Sequence, residues 1–349
     1  MSSRAPSLND WQKLYESARD FKQIKPWTWM SDADLFGVQN PQNGDIGYCC
    51  IMGQLGEVFA LAVYLGSEGL KGYLRIQSGE IGEGDPDAMH VQECLMASFE
   101  DRGALAKEDL QTIKKLGLKF RGRNAWPRFR SYRPGYVPWF LTKDEAGFLT
   151  IALQQAIDVA LRFKKDRDLL TPKKEGPVMM VRVPKSRDAD GDWKDVWMVP
   201  PAPEKAHLTV GATDEIRLRR LKKEISSREG IWEIDTFYFP GAVQEGARPF
   251  FPRTLVVLDH SSGMALHNWL APPWESLSEF QESLLDFVQK IGILPERILV
   301  SKHDNLKMLE PIASTLKIDL NMVEILEAVE EFREEMYTHF LGAPAGPFA

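Results

Sequence analysis

The first 200 residues alternate between helical and strand-like hydrophobic patterns. Apolar residues recur at three- and four-residue spacing over 8–21, which predicts an amphipathic helix. A longer helix begins near Thr142, where Thr142 and Glu145 have the spacing of a capping box. Strand-like runs occur at residues 46–52, 57–65, 92–100, 178–183 and 196–199. The first two and the last two of these runs predict hairpins, so we expect an α+β domain over residues 1–200.

The last 120 residues have a different order of elements. Three strands come first, with a tight turn at Ser261-Ser262-Gly263 between the second and the third. The predicted strands are 231–239, 253–259, 264–270, 297–301 and 317–320, and the predicted helices are 277–291, 305–316 and 322–337. Short turns suit antiparallel pairs and helical connections suit parallel ones, so we expect an α/β domain with a mixed five-stranded sheet and packing helices.

The boundary between the two domains is predicted from a change in composition. Three prolines, Pro200, Pro201 and Pro203, precede a charged helix that contains Arg217 and Lys223. Such a segment is typical of a linker. The expected organisation is therefore an α+β domain at 1–200, a linker with a charged helix at 201–229 and an α/β domain at 230–349.

Three segments of the C-terminal domain carry short motifs. They read IWEIDTFYFP (231–240), RTLVVLDHSSGMALHNWL (253–270) and PERILVSKHDNL (295–306). This arrangement resembles the ribonuclease H-like core of integrases and transposases. The resemblance implies that Asp235 is the first catalytic carboxylate. It also matches Asp259 to a hairpin turn that is usually structural in that family.

The third segment departs from the family pattern. The family has a second catalytic aspartate after the serine, whereas this chain has Lys302 after Ser301, and the acidic residue arrives two positions later as Asp304. An active enzyme would need hard oxygen ligands around two divalent ions. Asp235 and Asp304 would hold Mg²⁺ or Mn²⁺, with Asp259 or a glutamate of the last helix completing the site. The candidate glutamates are Glu324, Glu327, Glu330, Glu331, Glu334 and Glu335.

A run of basic and aromatic residues lies in the N-terminal domain, with no acidic residue from 111 to 142. Cations that track phosphates and rings that stack on bases would form a groove for single-stranded nucleic acid. Alternatively, the arginines lie on a strand and pair with acids of the same domain, or the run faces the acidic part of its own chain. The candidate residues for binding nucleic acid or an acidic protein are Lys119, Arg121, Arg123, Trp126, Arg128, Arg130 and Arg133.

Charge is distributed unevenly along the 349 residues. The net charge is −7, but residues 230–349 contain 8 basic and 18 acidic side chains and residues 1–229 contain 35 and 32. The C-terminal domain therefore carries −10 and the rest +3, which counts against a strand transferase that needs a basic track beside its carboxylates. Three cysteines and no long apolar stretch predict a reduced cytoplasmic protein without a disulfide framework or membrane span.

These patterns favour a noncatalytic binding or interaction protein with a degenerate ribonuclease H-like domain. The alternative is a metal-dependent nuclease or a phosphoryl or strand transferase. The chain as a whole also resembles a bacterial family of two-part proteins whose function has not been established. The resemblance implies an organisation but names no activity.

Overall fold

The computed structural model describes residues 4–82, 85–172, 176–186, 191–202, 215–274 and 277–341. The chain forms two compact units, which are described separately. The first comprises residues 1–83, 91–134 and 138–204, and the second comprises 84–90, 135–137 and 205–349. No helix in the described part of the chain is long and apolar enough to cross a bilayer.

The first unit is a mixed sheet with helices. Its helices are α1 (Leu8–Ile24), α2 (Gly66–Gln77), α3 (Lys107–Lys115) and α4 (Lys143–Lys165). Its strands are β1 (Phe36–Gln39), β2 (Ile46–Met52), β3 (Ala60–Leu65), β4 (Cys94–Glu100), β5 (Trp126–Tyr132), β6 (Met179–Pro184) and β7 (Trp193–Met198). In the described residues they form one seven-stranded sheet of order β5-β4-β3-β2-β1-β6-β7. Only the β1–β6 pair among them is parallel. The predicted helices and both predicted hairpins are confirmed.

The main core of the first unit lies between the sheet and the amphipathic helices α1 and α4. Leu14 and Phe21 of α1, Phe36 of β1 and Leu149 and Leu153 of α4 are fully buried in it. Each such side chain contributes about 1.5–3 kcal/mol when it leaves water. The hydrophobic spacing of α1 and α4 in the sequence therefore reports the faces that pack on the sheet.

Helix α2 was not predicted, because glycines at positions 66, 69 and 72 are typical of turns. The structure gives a packing reason for two of them. A Cβ on Gly69 would lie 2.6 Å from the Glu93 carbonyl oxygen, and one on Gly72 would lie 2.1 Å from that of Val91. These glycines therefore allow α2 to lie directly against the backbone that leads into β4.

The capping box at the start of α4 is present and extends into an ion pair. The Glu145 carboxylate accepts hydrogen bonds from the Thr142 amide, the Ser131 hydroxyl and the Arg133 guanidinium, at 2.8–3.0 Å. Burial acts to raise the pKa of Glu145, but these hydrogen bonds outweigh it and hold the pKa below its ordinary value.

Glu145→Gln is expected to lower the free energy of unfolding of the first unit by about 1–2 kcal/mol at pH 7. A carboxylate with a lowered folded-state pKa stabilises the fold above its unfolded pKa, and this stabilisation disappears as the pH falls through the folded-state pKa. The difference between wild type and variant should therefore shrink below about pH 4. Urea unfolding between pH 3 and pH 7 measures it, and a difference independent of pH would contradict the assignment.

The second unit contains a five-stranded sheet flanked by helices. Its strands are β8 (Ile231–Tyr238), β9 (Arg253–Asp259), β10 (Ala265–Ala271), β11 (Arg297–Val300) and β12 (Asp319–Met322). Its helices are α5 (Glu215–Glu224), α6 (Leu277–Ile291), α7 (His303–Leu316) and α8 (Glu327–Leu341). The predicted charged helix of the linker is α5, whereas residues 203–214 of the same predicted linker lie outside the described residues.

The sheet order of the second unit is β10-β9-β8-β11-β12. β8, β9 and β10 are antiparallel neighbours, and β11 is parallel to both β8 and β12. Helices α5, α6 and α7 contribute to the core on one face, and α8 packs on β8 and β9 at the other. This order confirms the predicted mixed five-stranded sheet with packing helices.

Candidate functional site

Asp235 lies in the middle of β8, the central strand of the second unit. Its side chain is only 2% exposed, because β9 and β11 flank the strand on both sides. The Lys302 ammonium donates a hydrogen bond of 2.9 Å to Asp235 Oδ2, and the Asn305 amide donates one of 2.6 Å to Oδ1. Both oxygens of the first predicted catalytic carboxylate therefore have a protein partner.

The parallel pairing of β8 with β11 places these partners. Leu299 of β11 is in register with Glu233, so the chain leaves β11 beside Asp235 and starts α7 there. Lys302 is the N-cap residue of α7, and Asn305 lies one turn further on the same side. Thr236 fixes both side chains with two further hydrogen bonds. Its carbonyl accepts one of 2.9 Å from Lys302, and its hydroxyl donates one of 2.8 Å to Asn305.

A second carboxylate and a second cation complete what we call the Asp235 cluster, formed by Asp87, Asp235, Lys302, Asn305 and Arg333. Asp87 lies 3.8 Å from the Lys302 ammonium and 3.5 Å from the Arg333 guanidinium. Burial acts to lower the pKa of Arg333, but the carboxylates around it outweigh burial and raise the pKa. The cluster therefore combines two negative and two positive groups.

His90 anchors the short segment that supplies Asp87. Its ring stacks on Tyr238 at 4.1 Å and meets Phe251 edge-on at 5.1 Å. Burial lowers the pKa of His90 to about 4, although the charge of Asp87 opposes this, so the ring is neutral at pH 7. The apolar packing of a neutral imidazole holds Asp87 beside the two cations.

The other predicted carboxylates lie elsewhere in the second unit. Asp304 is exposed in the first turn of α7, next to the buried Asn305 that contacts Asp235. Asp259 accepts hydrogen bonds from the amide and the hydroxyl of Ser262 at 2.9 and 2.7 Å, which lower its pKa. Asp259 is in register with Trp232, three residues from Asp235 along β8 and roughly 10 Å away. The structure thus brings neither Asp304 nor Asp259 to Asp235.

The residues of the Asp235 cluster do not fit a divalent metal ion. A metal at Asp235 would lie beside the Lys302 ammonium, which is 2.9 Å from Oδ2, and would compete with the two donors on this carboxylate. The last helix contributes Arg333 to the cluster in place of one of the predicted glutamates. Among the described residues, no group of three or more histidine, cysteine, aspartate or glutamate side chains has the geometry of a metal site.

Sequence reasoning identified Asp235 and the unusual Lys302 but missed three partners. Arg333 is the one basic residue in the acidic stretch 324–335, and that contrast was an available signal. Asn305 lies at helical spacing from Lys302, a second available signal. No sequence signal places Asp87 beside them, because it is far away in the chain.

The basic run of the first unit divides into paired and exposed residues. Arg130 is buried and forms a bidentate ion pair with Asp109, at 2.7 and 3.0 Å. Arg133 pairs with Glu145 at 2.9 Å, and Arg128 lies 4.0 Å from Glu100. These three arginines follow the expected alternative in which strand arginines pair with acids of the same domain.

The remaining predicted binding residues are three exposed cations and one aromatic ring. Lys119, Arg121 and Arg123 are exposed in the segment before β5. Trp126 packs against the core and lies 5.7 Å from the ring of Phe120. The aromatic residues here serve the fold of the first unit, and the cations at 119–123 are open to solvent.

Two family models match the chain, one in each part. Residues 11–182 match the domain of unknown function DUF7309, and residues 217–337 match the domain of unknown function DUF6930. Each part of the chain is therefore similar to a domain of unknown function. This agrees with the two-part organisation expected from the sequence. A comparison with curated proteins gives no match.

Among solved structures, the chain is similar to a chain of the simian T-cell lymphotropic virus intasome in complex with PP2A regulatory subunit B56 gamma. That similarity has 18% identity and a TM-score of 0.26, and it covers 34% of this chain and 43% of the other. The HTLV-2 integrase catalytic core domain in complex with magnesium has 15% identity and a TM-score of 0.24, with 34% and 77% covered. The Mos1 transposase paired-end complex has 14% identity and a TM-score of 0.21, with 68% and 60% covered. This chain thus spans less than half the length of the first of these chains.

Proposed function

We propose that this protein is a noncatalytic binding protein whose ribonuclease H-like domain has lost its metal site. The observation that carries the proposal is the pairing of Asp235 with Lys302 and Asn305. A metal at this carboxylate would have to displace a protein donor or share an oxygen with the Lys302 ammonium. The domain keeps the fold of a nuclease core and uses the place of the metals to hold its own elements together.

Charge opposes metal binding at the same place. Two unit charges 4 Å apart interact by about 4 kcal/mol at an effective dielectric constant of 20. A divalent ion beside Asp235 would be repelled by Lys302, with Arg333 adding to the repulsion from the other side of Asp87. The metal would therefore have to displace Lys302 before it could bind.

The binding surface belongs to the first unit in this proposal. Lys119, Arg121 and Arg123 are exposed cations in a segment without acidic residues, which suits an acidic partner. The net charge of +3 over residues 1–229 supports the same choice. We further infer a cytoplasmic location, which the three buried, unpaired cysteines support, and a bacterial origin, which the resemblance to a bacterial two-part family implies.

In a nuclease assay with Mg²⁺ or Mn²⁺, the protein and its Asp235→Asn variant are expected to give the same background on single-stranded DNA, double-stranded DNA and RNA. The reason is that Asp235 is bound to Lys302 and cannot activate a metal-bound nucleophile. Gel analysis of labelled substrates over several hours measures cleavage. Glu310→Gln is the matched control, since Glu310 is exposed on α7 and belongs to no candidate site.

Metal-dependent cleavage that disappears in Asp235→Asn would overturn the proposal and establish the nuclease alternative. Cleavage that is equal in the wild type, the Asp235→Asn variant and the Glu310→Gln control would not come from Asp235 and would agree with the loss of this metal site. Calorimetric titration with Mn²⁺ gives a second readout that does not depend on the substrate. Any Mn²⁺ binding by the wild-type protein should persist in the Asp235→Asn variant.

A further inference from the structure

A cleft of about 710 Å³ opens in the first unit beside the C-terminal end of α1. Its walls come from three stretches that are far apart in the sequence, namely residues 22–28, 53–59 and 123–124. Only Arg123 among its residues was predicted to bind a partner. The lining residues are Lys22, Lys25, Trp27, Thr28, Gly53, Gln54, Gly56, Phe59, Arg123 and Asn124.

The floor of the cleft is apolar and firmly packed. Trp27 and Phe59 lie 5.0 Å apart at their ring centres. The turn above them contains Gly53, where an added Cβ would come within 2.7 Å of Phe59 and 3.0 Å of Trp27. Because the turn lies directly on both rings, the floor has a fixed shape.

The rim of the cleft is positively charged and lacks counterions. The Lys22 ammonium donates a hydrogen bond to the Asn124 carbonyl, and burial followed by the charge of Lys25 lowers the pKa of Lys22. Within the described ranges, no carboxylate lies within 4.0 Å of the side-chain nitrogens of Lys22, Lys25 or Arg123. Asp101 accepts a hydrogen bond from the Asn124 amide at 2.7 Å, so this nearby acid is bound to the backbone. Three uncompensated cations around an apolar floor favour an anionic ligand with an apolar group.

We propose that this cleft binds an acidic peptide segment of a partner protein, with an apolar side chain over Trp27 and Phe59 and carboxylates at Lys22, Lys25 and Arg123. The inference rests on the proposed binding function and names its site and partner class. An additional apolar contact is available at Leu55, which lies on the same turn and is 89% exposed. A free inorganic anion would leave both the floor and Leu55 unused.

The aromatic rings argue for a peptide over a single-stranded nucleic acid. Base stacking needs an open ring face, but Trp27 is only 8% exposed. Phe120 and Trp126, the aromatic residues nearest to Arg123 in the basic run, pack against the core of the first unit. An apolar side chain needs no free ring face, because the partly exposed Phe59 and the exposed Leu55 offer it an apolar surface.

The test is fluorescence anisotropy with a labelled peptide of about ten residues, in which glutamates flank a central Leu-Phe pair. At about 50 mM salt we expect saturable binding that weakens as salt is added. Arg123→Glu and Lys25→Glu should each weaken binding about tenfold, because each reverses a charge at the rim. Lys13→Glu is the matched control, since Lys13 is an exposed cation of α1, the helix that carries Lys22, and does not line the cleft. It should change binding less than about twofold.

Different outcomes separate the cleft from the broader proposal. Equal loss in the Lys13→Glu and Arg123→Glu variants would indicate a response to net charge and overturn the cleft alone. Equal binding of a peptide with serines in place of Leu-Phe would remove the role of Trp27 and Phe59 and overturn the inference. Tighter binding of a fifteen-nucleotide thymidine oligomer, or no saturable binding up to about 1 mM peptide, would also overturn it. The noncatalytic assignment is tested independently by the nuclease assay.

Discussion

Replacing Arg130 with methionine is expected to lower the free energy of unfolding of the first unit by about 3–5 kcal/mol. The Arg130 side chain is 7% exposed and donates two hydrogen bonds to Asp109, which is equally buried. Its guanidinium also lies 4.6 Å from the centre of the Phe140 ring. Without Arg130, the buried carboxylate of Asp109 keeps one hydrogen bond, from the Ala106 amide, and loses its counterion.

Urea unfolding followed by circular dichroism measures the loss, and hydrogen exchange in β5 assigns it to the first unit. The matched control is Arg128→Met, on the same face of β5. Arg128 lies 4.0 Å from Glu100 and is partly exposed, so we expect a loss of no more than about 1 kcal/mol. Equal losses in both variants would show that Arg130 is not a structural ion pair and would return it to the list of binding residues.

Lys302→Met is expected to destabilise the second unit by about 2–3 kcal/mol. The substitution removes the cation from Asp235 Oδ2. Among the described residues, the neutral amide of Asn305 then remains as the side-chain donor to this carboxylate. Because Lys302 is 35% exposed, water can partly replace the lost ammonium, which keeps the effect below that of a fully buried pair. Thermal and urea unfolding measure the change in the free energy of unfolding. Hydrogen exchange in β8 assigns this change to the second unit.

Lys307→Met, at an exposed position of the same helix, controls for the loss of a lysine from α7. A double-mutant cycle with Asp235→Asn isolates the pair, since the double variant should lose less stability than the sum of the two single variants. Strictly additive losses would show that Lys302 and Asp235 do not interact. They would remove the observation on which the noncatalytic proposal rests.

The C-terminal fold was predictable because its signals are local. Strand β9 is a short apolar run, and the hairpin turn at Asp259 carries its own hydrogen-bonding residues, Ser262 included. The first unit was predictable only in parts. Its hairpins and long helices have local patterns, whereas α2 contains glycines whose purpose is visible only against the backbone at Val91 and Glu93.

The candidate sites divide in the same way. Asp235 stood out because it occupies a motif position, and Lys302 stood out because it replaces the aspartate of another. The contact between them depends on the parallel pairing of β8 with β11. The cleft in the first unit gave a weaker signal. Lys22 and Lys25 look like ordinary surface lysines at the end of a helix, and only folding brings them to Arg123. Side chains that meet through long-range pairing have no local pattern by which to recognise them.

The parallel pairing of β1 with β6 determines when the first sheet can be completed during synthesis. Val38 is in register with Arg182, so nearly the whole first unit separates the two paired strands. While a growing chain still lacks β6, β1 presents an unpaired edge beside β2. Closing so long a loop is slow compared with forming a hairpin. A nascent first unit therefore carries an unpaired strand edge at β1 until β6 has been synthesised, and such an edge promotes aggregation.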